Sequence, residues 1–265
     1  MKITNQWEAP DIWKVNEHKG VNADGTECLI REHMIREHSL DIYINEVLVM
    51  KLVCTPQDLF ELTVGRLMTE GYIRNIDDIE QIYLCNLGTR IRVFLKNPLT
   101  LDTEMETEPT CCTGNQVLMR RKDGAGLKPL SAADWSSDWI FKLAERFSEG
   151  SRIHKETKGT HSCYLSVKGE IVFMAEDIGR HNAVDKAVGY AVMHDYPLKD
   201  CILFTTGRVP TDMVKKCITA GVPVLVSKAV PTDAAVEMAE QYHMTLICKA
   251  WPDRFEIFHD GRISI

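Results

Sequence analysis

Residues 176–190 read EDIGRHNAVDKAVGY, and Asp177, Arg180, His181, Asn182, Asp185 and Lys186 crowd there around Gly179. The apolar run EIVFM just before has the length and composition of a strand, while Val184, Val188, Ala191 and Val192 recur at helical spacing. The stretch therefore reads as a strand-to-helix turn, with Asn182 as N-cap and Asp185, three residues on, as its reciprocal partner. The same alternation continues outward. CILFTT, VPVLVSKA and TLICKA read as strands; TDMVKKCITA, closed by Gly221, and TDAAVEMAEQYH, begun after Pro231, read as helices. That spacing predicts βαβ units, hence an α/β protein whose C-terminal half holds a largely parallel sheet covered by helices. SCYLSV pairs with EIVFM across Lys168-Gly169, and SSDWIFKLAERFSEG, capped by Ser136 or Ser137, supplies a helix ahead of them.

Toward the N-terminus, DIYINEVLVMKLVC predicts two strands about a tight turn at Asn45-Glu46. TPQDLFELTVGRLMTEGYI predicts a helix with Thr55 as N-cap, Pro56 at the first helical position and Gly71 as its stop. IEQIYLC and RIRVFLK predict a second hairpin. Four regions are expected: a flexible N-terminal arm (1–30), a smaller α+β domain (31–96), a mobile cysteine-bearing loop (97–130) and the larger α/β domain (131–265).

Composition limits the function. A chain of 265 residues, 45% hydrophobic and 26% charged, can bury a full core. Its net charge of -7 argues against a surface that grips nucleic acid or an anionic membrane, so anion binding must be local. MKITNQWEAP lacks the apolar run of a signal peptide, and no stretch reaches the roughly 18 apolar residues of a membrane span. Nine cysteines without framework spacing fit reduced thiols, and the expected location is the cytoplasm.

Three turns attract notice: AEDIGRHN with Arg180 and His181, TTGRVP with Thr206, Gly207 and Arg208, and SKAVPT with Lys228. Each feeds a helix N-terminus, where free N–H groups and the dipole favour anions. If the strands run parallel, the turns gather along one sheet edge and form a phosphate pocket. Taken singly, each Gly-Arg turn is equally readable as a solvated arginine, His181 as a core histidine, and Lys186 as a solvated charge.

Cys54, Cys85, Cys201, Cys217 and Cys248 sit in apolar periodic segments and read as core. Cys111 and Cys112 lie in the irregular stretch EPTCCTGN, which suits a mobile nucleophilic thiol able to carry a sulfane sulfur. The spacing of His161, Cys163 and the pair does not match a zinc framework, and the HxE…PCxxC signature of zinc deaminases is missing, so no protein-ligated metal is expected.

EDIGRHNAVDKAVG, TTGRVPTDMV, AGVPVLVSKAVPTDAAVEMAE and, upstream, CTPQDLFELTVGRLMTEGYI together resemble, in the same order and from about Leu40 to Phe258, the FdhD/NarQ family of formate dehydrogenase accessory proteins. The resemblance implies a sulfur carrier that takes persulfide sulfur from a cysteine desulfurase and passes it to the molybdenum bis(molybdopterin guanine dinucleotide) cofactor of formate dehydrogenase. It also implies a homodimer, and a three-layer αβα cofactor-binding domain similar to the cytidine deaminase fold. Carried over residue by residue, the family's GRHNxxDK block matches Gly179, Arg180, His181, Asn182, Asp185 and Lys186. Its SGR turn matches Thr206, Gly207 and Arg208, and its TGGxH element matches 157–161, ending at His161 with Lys158 for one glycine. A cofactor-contacting segment falls at Lys249 to Arg254, with Trp251 where an arginine is usual. The family's CxxC loop is reduced here to Cys111-Cys112 followed by Gly114 and Asn115, with Cys112 the favoured carrier. A non-catalytic cofactor chaperone or insertase is the alternative.

Overall fold

The computed structural model of the chain describes residues 1–99, 101–107, 114–120 and 126–262; Cys111 and Cys112 lie outside the described residues. In chain order the elements are β1 (Lys2–Asn5), β2 (Trp13–Val21), β3 (Glu27–Ile35), β4 (His38–Ile44), β5 (Val47–Cys54), α1 (Leu59–Thr69), β6 (Ile79–Leu84), β7 (Arg90–Leu95), β8 (Leu101–Thr107), β9 (Gln116–Arg120), α2 (Ser137–Ser148), α3 (Arg152–Thr157), β10 (His161–Val167), β11 (Glu170–Asp177), α4 (Arg180–Met193), β12 (Cys201–Thr205), α5 (Thr211–Ala220), β13 (Val224–Ser227), α6 (Asp233–Gln241), β14 (Thr245–Trp251) and β15 (Arg254–His259).

The C-terminal strands form a six-stranded sheet in the order β11-β10-β12-β13-β14-β15. The pairs β12–β13 and β13–β14 are parallel. β10 runs antiparallel to both neighbours and β15 antiparallel to β14, so the sheet is mixed rather than largely parallel. Successive residues of a strand face opposite sides. Leu165, Leu203, Leu225 and Leu246 join Val184 of α4, Met213 of α5 and Ala235 of α6 in one buried cluster. Their neighbours Tyr164, Phe204, Val226 and Ile247 pack instead against Ile140, Leu143 and Phe147 of α2. Helices therefore cover both faces.

A seven-stranded sheet, ordered β1-β6-β7-β4-β5-β9-β8, holds the N-terminal half, and β2 and β3 form a separate hairpin. Residues 1–30, expected as an arm, thus supply β1, paired in parallel with β6, and most of that hairpin. The expected loop 97–130 supplies β8 and β9. In both places charge hides the period: LDTEMET alternates, but its acidic residues read as a charge run. The β4–β5 turn is as expected, with Asn45 and Glu46 both at positive φ (45 and 69). α1 starts later than expected, at Leu59, after Asp58 in a left-handed conformation. The reason is that Thr55 is engaged elsewhere, by Asp177.

α1 and α4 join the two halves. A Cβ on Gly65 would lie 1.7 Å from the carbonyl oxygen of Asp185, and one on Gly189 would lie 1.8 Å from that of Glu61. The two helices meet backbone to backbone, which only glycine permits. Among the described residues no helix is long and apolar enough to cross a membrane.

Candidate functional site

β11 and β12 both run antiparallel to β10, so β11, β12, β13 and β14 share one direction and their C-terminal ends share one edge. β10 begins at that edge with His161. A cleft of about 580 Å³ opens there, lined by His154, Lys158, His161, Thr206 and Lys228 among others. No acidic side chain is among its described lining residues. For a chain of net charge -7 that is a local reversal of sign.

Thr206 Oγ1 accepts the Ser162 N–H at 3.1 Å and lies 3.1 Å from His161 Nδ1. The hydroxyl keeps both a proton and a second lone pair for the imidazole, so it can hold the ring in either neutral tautomer. Burial, then the charges of Arg180, His154 and His181, hold the His161 pKa below the ordinary histidine value. An NMR titration is expected to show its midpoint below about 6.5. The folded state then binds this proton later than the unfolded state, so His161 costs no stability above about pH 6.5 and costs progressively more as pH falls through its folded midpoint.

Arg180 and His181 open α4. Arg180 is 7% exposed and passes beneath the turn after β12, where a Cβ on Gly207 would come within 2.9 Å of its Cδ. A Cβ at 207 would therefore force the Arg180 side chain to shift. His181 Nε2 lies 3.2 Å from Asp212 Oδ2 at the start of α5. Arg208 is exposed on the same turn.

Asn182, Asp185 and Lys186, expected at the cofactor, turn the other way and are fully buried. Asn182 lies inside α4, whose N-cap is Gly179, so it does not cap the helix as expected. Asp177 Oδ1 accepts from Gly179 N and Asn182 Nδ2, both at 2.9 Å. Its Oδ2 accepts from Thr55 N at 3.0 Å and pairs with Lys186 Nζ at 2.9 Å. Burial alone would lower the Lys186 pKa, but Asp177, Asp58 and Cys54 together outweigh it and the net direction is up. Asn182 Nδ2 also donates to Val53 O at 2.9 Å, and Asn115 Nδ2 donates to Asn182 Oδ1 at 3.0 Å. Asp185 receives Arg66 Nη1 at 2.9 Å and Thr69 Oγ1 at 2.6 Å, with Lys216 Nζ at 3.3 Å. Half of the charged block therefore binds the N-terminal half of the protein to the cleft wall. A signal for this was present in LTVGRLM, where Arg66 interrupts an apolar helix stripe and needs a buried acid.

Lys249 and Arg254 lie on the β14–β15 hairpin and share Glu256, at 2.8 and 2.5 Å. Between them Trp251 lies under Lys228, with Nζ 4.4 Å from the ring centroid.

Cys54, Cys163, Cys201, Cys217 and Cys248 are buried. Burial pushes the thiols of Cys201, Cys217 and Cys248 up to about 12, which removes them as nucleophiles near neutrality. At Cys85 burial acts upward too, but the N–H groups of Arg90, Leu87 and Thr89 prevail and lower it. Among the described residues no group of three His, Cys, Asp or Glu is placed to hold a metal ion.

Residues 35–264 match the FdhD/NarQ family. The sulfur carrier protein FdhD of Bacillus subtilis is 28% identical over 258 residues, covering 96% of each chain. That of Halalkalibacterium halodurans is 30% identical over 240 residues, covering 88% of this chain and 86% of its own. A crystal structure assigned as a formate dehydrogenase accessory protein of Desulfotalea psychrophila superposes with a TM-score of 0.74 over 94% of this chain and 97% of that one; at 24% identity it speaks for the fold alone. With the family model matched over residues 35–264, most of its length, this chain belongs to the FdhD/NarQ family.

Proposed function

We propose that the protein is a sulfur carrier for formate dehydrogenase maturation, taking sulfur as a persulfide on Cys112, or on Cys111, and passing it to a molybdenum bis(molybdopterin guanine dinucleotide) held in the cleft. In loading, the carrier thiolate attacks the outer sulfur of a cysteine desulfurase persulfide; the donor S–S bond breaks, its thiolate leaves, and a new S–S bond forms on the carrier. The cofactor is cargo. Lys158 and Lys228 in the cleft, with the exposed Arg208 on the turn after β12, suit its phosphates, while the buried Arg180 and His181 support that turn and the start of α5 from beneath. Similarity of the C-terminal sheet to cytidine deaminases, a homodimer and a cytoplasmic location belong to the same proposal.

The observation that supports it most is the bond from Asn115 to Asn182 at 3.0 Å. Asn115 fixes the C-terminal end of the stretch that carries Cys111 and Cys112, and Asn182 belongs to the helical turn that presents Arg180 and His181. The bond supports a carrier cysteine close in sequence to a residue that contacts this turn.

Incubation with a cysteine desulfurase and cysteine is expected to add one sulfur atom to the peptide 105–119, read by mass spectrometry under non-reducing conditions. The Cys111→Ala, Cys112→Ala variant is expected to lose both that adduct and the ability to restore formate dehydrogenase activity in cells. Restoration by the double variant sinks the proposal. An adduct found on Cys85 instead would move the carrier to the β6–β7 turn. Cofactor binding with no adduct anywhere favours the chaperone alternative.

A further inference from the structure

The backbone of Lys228 is held from both sides. Its N–H donates to Thr205 O at 3.1 Å, and Ala229 O accepts from Lys249 N–H at 3.0 Å, so the loop after β13 is stitched between the ends of β12 and β14. Ser227 Oγ tightens it further, donating to Gly207 O at 2.6 Å and accepting from Ala229 N–H at 3.0 Å. Beyond Cα the side chain is long, and free rotation would spread its ammonium over a wide arc. What restrains it is aromatic. Nζ lies 4.4 Å from the Trp251 ring centroid and 5.9 Å from that of Phe147.

Trp251 reaches this position through an irregularity in its strand. β14 and β15 pair as far as Cys248 and Glu256, then slip, and resume at Trp251 and Arg254. Lys249, inside the slip, has a φ of 48. Such a bulge re-aims the side chains beyond it. The indole ends 46% exposed at the rim of the cleft.

We propose that Trp251 is a positioning residue for anion capture, holding Lys228 in place for ligands that bear a diphosphate. This rests on the anion cleft of the proposed function. The choice of holder matters chemically. A carboxylate could fix the lysine equally well, but it would cancel the charge and occupy N–H donors. An aromatic face attracts the ammonium through its ring electrons and leaves the donors to the ligand. Lys158 and His154, from α3 and the turn after it, line the same cleft, so a multi-oxygen anion there has basic groups from two separate segments to bind.

The test is isothermal titration of the full chain with inorganic pyrophosphate at low ionic strength. Wild type is expected to bind, and Trp251→Leu to bind about two- to fivefold more weakly, the range of a half-exposed cation–π contact. Trp251→Phe, which keeps an aromatic face, is expected to recover most of the loss. In a Lys228→Gln background, Trp251→Leu is expected to have no further effect. Thermal melts identify any variant that fails to fold, and Trp251→Phe then decides by itself, since wild-type-like binding supports the proposal and binding as weak as Lys228→Gln overturns it. Equal or tighter binding by Trp251→Leu, or the same loss in the Lys228→Gln background, overturns the role of Trp251 while leaving the cleft intact. Failure of wild type to bind pyrophosphate removes the anion cleft itself, and the positioning role with it.

Discussion

Gly189→Ala is expected to destabilise the protein by about 3 kcal/mol, the upper end of overpacking costs, because the added methyl meets backbone and not a movable side chain. Helix propensity alone predicts the reverse sign, a gain of about 1 kcal/mol for alanine over glycine inside a helix. The distance decides between them. A Cβ at 189 would stand 1.8 Å from the carbonyl oxygen of Glu61, so α1 and α4 must separate by more than an atom's radius. Gly65→Ala is expected to cost a similar amount, since its Cβ would stand 1.7 Å from the Asp185 oxygen. The double variant should cost less than the sum, because one separation of the helices accommodates both methyls. Urea unfolding midpoints measure all three, and a Gly189→Ala protein as stable as wild type would refute the backbone contact.

Asp177→Ala is expected to cost about 3–5 kcal/mol, the range for breaking a buried ion pair by removing one partner. The loss exceeds the pair itself. Lys186, 0% exposed, is left charged without its acid, and the N–H groups of Thr55 and Gly179 lose their acceptor with it. Lys186→Met should be the milder change. Asp177 there keeps Thr55, Gly179 and Asn182 as donors, so the remaining charge is still solvated by the protein. The ordering of the two variants in urea is the informative result; equal losses would mean that the hydrogen bonds to Asp177 carry little.

Much of the C-terminal fold was legible because its strands are continuous apolar runs and its helices carry caps. Ser136 caps α2 and Thr232 caps α6 through side-chain bonds, and Gly221 closes α5 at a φ of 85. Legibility failed where tertiary partners override local chemistry. Thr55 looks like a helix cap and is instead bound to an acid 122 positions away. Asn182 looks like a cap and bonds to β5 and Asn115 instead. β2 and β3 were hidden because most of their residues are exposed or only partly buried, which leaves no apolar alternation to read. The cleft was half legible. Thr206 and Lys228 do line it, whereas Arg180 and His181 start the helix at the same sheet edge but are buried, and His154 and Lys158 come from α3 and the turn after it, a short segment with no pattern of its own. Trp251 read as the loss of an arginine because its contact with Lys228 depends on a strand slip that sequence does not announce.

The glycine contact between α1 and α4 has one more implication. Together with the acids at 177 and 185 it welds the first turn of α4 to the seven-stranded sheet. Prising the two halves apart would therefore break the partners of both acids at once, so the start of α4 cannot come away from the N-terminal half piecemeal.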